Sequence, residues 1–578
     1  MNLEKLFVPS PKVQADKALP PEETIRIVEE RLKNSGLRIY KGLQRIDKGR
    51  LGIPVYLSIY DVEGTRVTGN YKQMGKGINP ALSQASALME LVERFSLFSY
   101  YRNVSEKGFL STFKELGDKA IPWEVFVRSV EDEDEKRVRS LTLEILREMP
   151  FYFVPALEVN SKGVKYLPFH WFWTLYEYNG SAGGNTYPEA SVQAICELIE
   201  RHTNALWIRS QRPMPAIRRD SVKGEAEALL KCFEGLKINL WVRDMTLDMP
   251  APTIAVMALD PSTFPHRSEI VYAAGTGTSP HRALIRALTE VAQLAGDFDT
   301  DGKYLESGLP KFTNLSEAHL VTDYLFEISL DALPSLHRDD HLEELELLCR
   351  SMGEKGYEIY LIDITEEKLG LPAVYAVIPG ILFRERTKIP LLFQLCRVMP
   401  LYLSPEKNKE ILESILLGIN DKYYVWGFYG NALKELGRFD ESVMAYARAL
   451  SLSPPESELI PIYTNLAEAY FKKGDFDACV KSCDKALSFG EVAEVYNLLG
   501  RALYKQGEYL EALQAFLKAT ELNPASAIDY ANAGYCLKNL NMLPPAEVFF
   551  AKALSLDPEL TMAKRGLEYC ESLLHNKN

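Results

Sequence analysis

Long apolar runs are missing from this sequence: nowhere do about 18 consecutive apolar residues occur, the length a membrane-crossing helix requires. The opening MNLEKLFVPSPKVQADK also lacks the basic-then-apolar order of a secretory signal. These two absences predict a cytoplasmic protein with no membrane partner. Cysteine is scarce, with 8 in 578 residues, and the closest pair, Cys479 and Cys483, falls inside a helical repeat. Neither a disulfide framework nor a zinc pattern is present, which fits a reducing compartment and cysteines used for packing. Positive charge is in deficit. The 66 Lys and Arg against 79 Asp and Glu leave a formal net charge of −13, so broad phosphate-backbone binding is disfavoured and no nucleic-acid partner is expected.

Standard nucleotide loops are missing too. GNYKQMGKG (69–77) places five residues between its glycines and Gly77 where a P-loop needs Ser or Thr, and GSAGGN is not the dinucleotide fingerprint. What is present is a 47% hydrophobic chain of 578 residues, enough for several buried cores and, on length alone, about three or four domains.

A period appears from residue 423 onward. In YYVWGFYGNALKELGRFDESVMAYARALSLSP (423–454), AEVYNLLGRALYKQGEYLEALQAFLKATELNP (493–524) and AIDYANAGYCLKNLNMLPPAEVFFAKALSLDP (527–558), small residues, a turn residue, an aromatic and a final Pro recur in register. The eighth position is Gly430, Gly500 or Gly534, the fifteenth Gly437, Gly507 or Asn541, and the twenty-fourth Tyr446, Phe516 or Phe550. Segment 460–492 fits between them with Ala467, Gly474, Cys483 and Ala486. Such a pattern predicts four tetratricopeptide-like helix hairpins over 423–558, with MAKRGLEYCESLL (562–574) as a capping helix. An array of this kind binds a protein partner, packs on the rest of the chain or builds a dimer.

The first 400 or so residues alternate β-branched runs such as TIAVMALD (253–260) and PAVYAVIPG (372–380) with helix-period segments, which predicts a mixed α/β or α+β domain. The expected division is a first domain over 1–405, a linker over 406–422 and the repeats over 423–578. The acidic stretch entering 127–149 reads as a solvated helix face.

One short string occurs twice. LMELVERF (88–95) and ICELIERH (195–202) both carry Glu-Leu-x-Glu-Arg. On a helix, Glu90 and Glu93 share a face, as do Glu197 and Glu200, because residues three apart are neighbours on the helical surface. Like charges so close repel, with Arg94 and Arg201 only partly compensating. A hard divalent cation resolves the repulsion better, since magnesium is commonly held by one or two carboxylates together with substrate phosphates. Two such helices facing each other make a nest for more than one ion.

Each twin follows a glycine-rich lead-in: GKGINPALSQAS (75–86) and NGSAGGNTYPEASVQA (179–194). A third segment, GTGTSPHRALIRALTEVAQ (275–293), repeats the plan with Arg286 and Glu290 in place of the acidic pair. Each has glycines and then a Pro in the first helical turn, namely Pro80, Pro188 and Pro280. Free N–H groups at a helix start, approached closely past glycine, suit a phosphate.

These strings resemble the YcaO family over about residues 15–400. SALMELVER contributes Ser86, Glu90, Glu93 and Arg94; AGGNTYPEASVQAICELIER contributes Asn185, Glu189, Gln193, Glu197, Glu200 and Arg201; ALIRALTEVAQ contributes Arg286, Glu290 and Gln293. The resemblance implies an α+β domain with mixed sheets and an internal pseudo-repeat, followed here by the all-α repeat array. It implies ATP and Mg2+ as cofactors, with Ser86, Asn185, Gln193, Arg201, Arg286 and Glu290 at the nucleotide and Glu90, Glu93, Glu189, Glu197 and Glu200 on metal. KALPPEET resembles the family's Lys-then-hydroxyl segment, which implies nucleotide roles for Lys17 and Thr24.

Activity of the YcaO type is ATP-dependent activation of a peptide or protein backbone amide. A side-chain nucleophile then yields an azoline and external sulfide a thioamide. Two departures favour the thioamide: PGILFRERTKIPLLF (379–393) runs on into the repeats rather than ending in a proline-rich tail, and no fused peptide-clamping domain is present. The implied partners are a peptide or protein substrate, a TfuA-type or other sulfur-donor protein, a protein on the repeat array and a second copy in a homodimer. Three alternatives stay open: an accessory role in methylthiolation of a ribosomal protein, a nucleotide-regulated scaffold without turnover, and a kinase-like phosphotransferase. His170, His202 and His281 lie near the motifs and read as packed or surface histidines.

Overall fold

The structure, a computed structural model, describes residues 3–14, 16–300, 311–383 and 386–574. It divides into two compact units, Met1–Asp61 with Lys72–Glu133 and Ile145–Pro390, and Val62–Tyr71 with Asp134–Glu144 and Leu391–Asn578.

Among the described residues, the strands of the first unit form three sheets. One is an antiparallel sheet of Tyr40–Arg45, Val55–Tyr60 and Lys72–Lys76. The second runs Val271–Thr276, Thr253–Leu259, Asn239–Asp244, Ala216–Ile217, Glu327–Ile328, with only the last pair parallel. The third runs Phe109–Ser111, Phe151–Glu158, Tyr360–Asp363, Ala373–Val377, Ser181–Gly183, with Gly163–Pro168 also paired to Phe151–Glu158. Every residue of Thr253–Leu259 and Val271–Thr276 is buried, which is why these strands read as continuous apolar runs rather than alternating ones.

The three glycine-led segments are three strand–turn–helix units. Lys72–Lys76 leads into helix α1 (Pro80–Arg102), Ser181–Gly183 into α2 (Tyr187–Ser210) and Val271–Thr276 into α3 (Pro280–Ala295). Each helix starts the same way. Asn79, Thr186 and Ser279 are the N-caps, their side chains accepting from the N–H of Leu82, Glu189 and Arg282, with Pro next in the first turn. Two of the lead-in glycines also have a packing role. A Cβ on Gly75 would overlap the backbone of Ala87 and Ser83, and one on Gly275 the backbone of Ala283 and Ala287. These glycines let each strand lie directly on its own helix, and the capped first-turn amides are already bonded within the protein.

The second unit contains the helical hairpins Tyr423–Glu435/Phe439–Ser451, Glu456–Lys473/Phe476–Leu487, Ala493–Gln506/Tyr509–Leu522 and Ala527–Asn539/Leu543–Leu556, then Thr561–Leu574. The small-residue positions face the aromatic ones: a Cβ on Gly430 would come within 2.7 Å of the Tyr446 ring, on Gly500 within 2.9 Å of Phe516 and on Gly534 within 2.7 Å of Phe550. At the turn, Gly437 and Gly507 take φ of 74° and 89°, and Asn541 takes 62°, the left-handed geometry that Asn tolerates best after glycine.

Three expectations differ from what is observed. The stretch 406–422 is mostly the helix Pro405–Leu416, held by buried Leu412 and Ile415, and Leu391–Val398 is a further helix with buried Leu391, Leu392 and Leu395. Both belong to the second unit, so its main segment begins at Leu391. The helix Lys136–Glu148 is not wholly solvated, because Val138 and Thr142 are buried along one side. No helix among the described residues is long and apolar enough to cross a membrane.

Candidate active site

The twin strings form twin structures. On α1, the Arg94 guanidinium reaches Glu90 at 2.8 Å and Glu93 at 3.0 Å. On α2, Arg201 reaches Glu197 at 3.6 Å and Glu200 at 3.4 Å. The arginine following each acidic pair thus turns back on both of its carboxylates.

Glu93 and Glu200 are buried at 6% and 7% exposure. Burial foremost, then the nearby charges of Glu90 and Glu197, push the Glu93 carboxyl well above the usual range in spite of Arg94. Burial likewise raises Glu197, with Arg201 and Arg94 opposing and Glu200 and Glu90 adding to the effect. The two acidic turns therefore feel each other electrostatically, because all four carboxylates ionised together would outnumber their two arginines.

Between the twins runs the segment Tyr178–Ser181, at the start of the second glycine-rich lead-in. Arg94 donates to the Tyr178 carbonyl and to Ser181 Oγ, both at 3.0 Å, and its guanidinium lies 4.6 Å from the Tyr178 ring centroid. Ser181 Oγ donates to Glu93 at 2.5 Å. Arg201 Nε donates to Asn179 Oδ1 at 3.0 Å, and the Gly180 N–H donates to Glu197 at 3.2 Å. No spacing rule singles out Asn179 or Ser181 within that lead-in.

On α3, Arg286 donates to Gln193 of α2, while its Nε is buried without a hydrogen-bond partner. Glu290, one turn further, pairs with Lys76. Burial, then Arg286, holds the Lys76 ammonium down to about 8. Ser86 Oγ accepts from the Lys76 N–H at 3.4 Å. Lys76 lies in the very string that fails as a P-loop, which is why sequence reading discarded it.

The N-terminal segment joins the site through α2. Lys17 Nζ lies 3.2 Å from Glu189, whose other oxygen accepts from the Ala18 N–H at 3.2 Å and from the Asn185 side chain at 3.2 Å. Thr24 donates to Asn185 at 2.9 Å. Although burial opposes it, Lys17 foremost keeps Glu189 below the usual carboxylate value. Lys17, Thr24, Asn185 and Glu189 are thus brought together, with Glu189 engaged by the N-terminal segment rather than by the twin turns.

Among the described residues, the group whose potential metal-ligating atoms lie within 4.8 Å of one another is Asp16, His337 and Glu344. Its two carboxylates are already met by two cations: Lys12 Nζ lies 2.6 Å from Asp16 and 2.5 Å from Glu344, and Arg282 Nε lies 3.2 Å from Asp16. The twin carboxylates are instead turned toward their arginines. Their chemistry fits a hard divalent ion, since all four offer oxygen and two are made reluctant to ionise by burial and each other. The orphaned Arg286 Nε fits an anionic oxygen. Among the histidines, burial pushes His170 and His202 down to about 4; His202 accepts from the Leu382 N–H and contacts the Tyr357 hydroxyl, as a packed residue does.

A sequence model of the family described as YcaO cyclodehydratase, ATP- and Mg2+-binding, matches residues 74–382, and tetratricopeptide-repeat models match 423–456, 460–489 and 493–526. An uncharacterized protein of Methanothermobacter thermautotrophicus is 26% identical over 379 residues, 63% of this chain and 94% of that protein. The ribosomal protein S12 methylthiotransferase accessory factor YcaO of Escherichia coli is 26% identical over 245 residues, 39% of this chain and 40% of that protein. A solved heterocyclase in complex with substrate and cofactor shares the fold at TM-score 0.53 and 24% identity, with 68% of this chain covered and 56% of that one. The chain thus spans under two thirds of the accessory factor and of the heterocyclase. With the family model covering more than half of the 578 residues and the twin acidic turns inside the matched span, this chain belongs to the YcaO family, whose members bind ATP and Mg2+ and activate amides, and it carries tetratricopeptide repeats after that domain.

Proposed function

We propose that this protein activates a backbone amide of a peptide or protein with ATP and Mg2+ and converts it to a thioamide with externally supplied sulfur. The observation that carries the reading is the pairing of the twin acidic turns on α1 and α2 with an orphaned guanidinium donor on α3. Glu90, Glu93, Glu197 and Glu200 would hold metal. Arg286, Gln193 and Ser86 would meet the phosphates, and Lys17, Thr24 and Asn185 the rest of the nucleotide, with Glu189 fixing Lys17. When bound, ATP and Mg2+ supply the electrophilic phosphoryl group that makes the amide oxygen a leaving group. Sulfide adds to the carbonyl carbon, and the amide oxygen departs with phosphate, so one ATP and one sulfide give one thioamide, ADP and phosphate. The preorganised cations Arg94, Arg201 and Arg286 favour the charge that develops. The continuation of the chain past 390 into helices supports sulfur over a side-chain nucleophile. The repeat array would hold the substrate protein or a sulfur-donor partner of the TfuA type.

A second reading, an accessory role in methylthiolation of a ribosomal protein, is favoured by the likeness to the Escherichia coli accessory factor. Phosphate release by the full chain with ATP and Mg2+, with and without sulfide and candidate peptides, separates the two. Stimulation only when peptide and sulfide are both present supports amide activation, whereas nucleotide binding without turnover under every condition supports the accessory role.

A further inference from the structure

Four consecutive residues each touch the twin acidic turns. Tyr178 gives its carbonyl to Arg94, Asn179 its side-chain oxygen to Arg201, Gly180 its N–H to Glu197, and Ser181 its hydroxyl to both Arg94 and Glu93. The loop is stiffly mounted at both ends. Glu177 takes φ of 51°, its carbonyl accepts from the Tyr375 hydroxyl at 2.9 Å, and its carboxylate meets Arg386 at 2.9 Å. On the other side, Ser181–Gly183 is a strand of the six-stranded sheet. Gly180, with φ of 84°, is packed so that a Cβ would come within 2.9 Å of the Ala376 carbonyl.

Each of the hydrogen bonds from Tyr178–Ser181 to the twin turns is charge-assisted, because its partner is an Arg or a Glu. Helices α1 and α2 carry the acidic pairs far apart in sequence, and the loop bonds to both at once. We infer that Tyr178–Ser181 is a brace that sets the separation and orientation of the two acidic turns, so that Asn179 and Ser181 are positioning residues for the metal ligands. This rests on the proposed role of the twin turns in holding metal. Without Ser181 the Glu93 carboxylate loses a donor and Arg94 loses an acceptor; without Asn179 the Arg201 Nε loses its acceptor and the guanidinium is free to turn. In either case Mg2+ must first pay for ordering its own ligands.

The test is a Mg2+ titration of the binding of a fluorescent, non-hydrolysable ATP analogue to the full chain. Ser181→Ala and Asn179→Ala are expected to raise the Mg2+ midpoint about tenfold each, the equilibrium factor of one charge-assisted hydrogen bond, while the protein stays folded at the assay temperature with an unfolding temperature lowered by a few degrees. Ser181→Thr, which keeps the hydroxyl, is expected to restore the midpoint. If both alanine variants leave the midpoint unchanged while Glu93→Gln moves it, the brace is overturned and the site stands. If Glu93→Gln leaves it unchanged as well, the metal reading itself fails and the brace with it.

Discussion

Replacing Glu93 by Gln separates the two roles this carboxylate could have, a structural ion pair and a metal ligand. Gln preserves the volume of a residue only 6% exposed and leaves a carbonyl oxygen for the Ser181 hydroxyl, which lies 2.5 Å from the carboxylate. Arg94 is not orphaned, because it keeps Glu90 at 2.8 Å and the Tyr178 carbonyl and Ser181 Oγ at 3.0 Å. The variant also removes a charge that burial and two acidic neighbours already disfavour. Unfolding free energy without ligand should therefore stay within about 1 kcal/mol of the wild type. Metal binding responds differently, since the ion loses a charged oxygen from a small set. We expect the Mg2+ dependence of nucleotide binding to weaken at least ~100-fold, about 2.7 kcal/mol. Calorimetric titration of ATP analogue and Mg2+ into the two proteins, with thermal unfolding alongside, measures both quantities. An unchanged Mg2+ dependence with a large fall in stability would mean that Glu93 is a structural partner of Arg94.

Further outcomes follow from the same geometry. Arg286→Lys keeps a positive charge but loses the planar donor fork that reaches Gln193 and leaves Nε free, so nucleotide affinity should fall about tenfold or more; affinity equal to the wild type would remove Arg286 from the site. Glu93 and Glu197 titrate above their unfolded values, so the stability they contribute is present at low pH and is lost as pH rises through those raised values. Mg2+ with nucleotide selects the ionised form, so stabilisation by ligand should grow as pH rises toward those raised values, with release of protons; ligand stabilisation that falls as pH rises would contradict the assignment. In the repeat array, Gly500→Val would drive a side chain into the Phe516 ring, whose nearest atom lies 2.9 Å from an added Cβ. The expected destabilisation is about 1–3 kcal/mol, read from chemical denaturation, and a neutral result would refute the glycine–aromatic packing account.

The parts of this protein that were legible in its sequence are those where a local rule repeats. Glycine opposite an aromatic at fixed offset marks the hairpins, and cap, Pro and helix after a short strand mark α1, α2 and α3, because local chemistry alone sets both patterns. The twin acidic turns were legible for the same reason. What was not legible depends on which segments meet across long separations. Asn179 and Ser181 carry no signal until α1 and α2 are placed beside them. Lys76 lies in a string that fails as a P-loop, and its pairing with Glu290, 214 residues later, appears only in three dimensions. The packing role of Gly75 and Gly275 was not legible either, because a ligand approach and a strand-on-helix approach ask for the same absent side chain, and only the backbone of Ala87 and Ala283 reveals the second. The supposed linker was missed because its polar residues outnumber its buried ones, although Leu412 and Ile415 suffice to anchor a helix.

In the proposed site the two Glu-Leu-x-Glu-Arg turns jointly hold metal beneath one nucleotide. A crystal structure of the full chain with Mn2+ and a non-hydrolysable ATP analogue tests it most directly, because the anomalous signal locates the ions independently of any assumed ligand set. Manganese is expected between Glu90 and Glu93 on one side and Glu197 and Glu200 on the other, with Arg286 turned onto the phosphates. Manganese bound at Asp16, His337 and Glu344 alone, with Arg94 and Arg201 still covering the twin carboxylates, would contradict it.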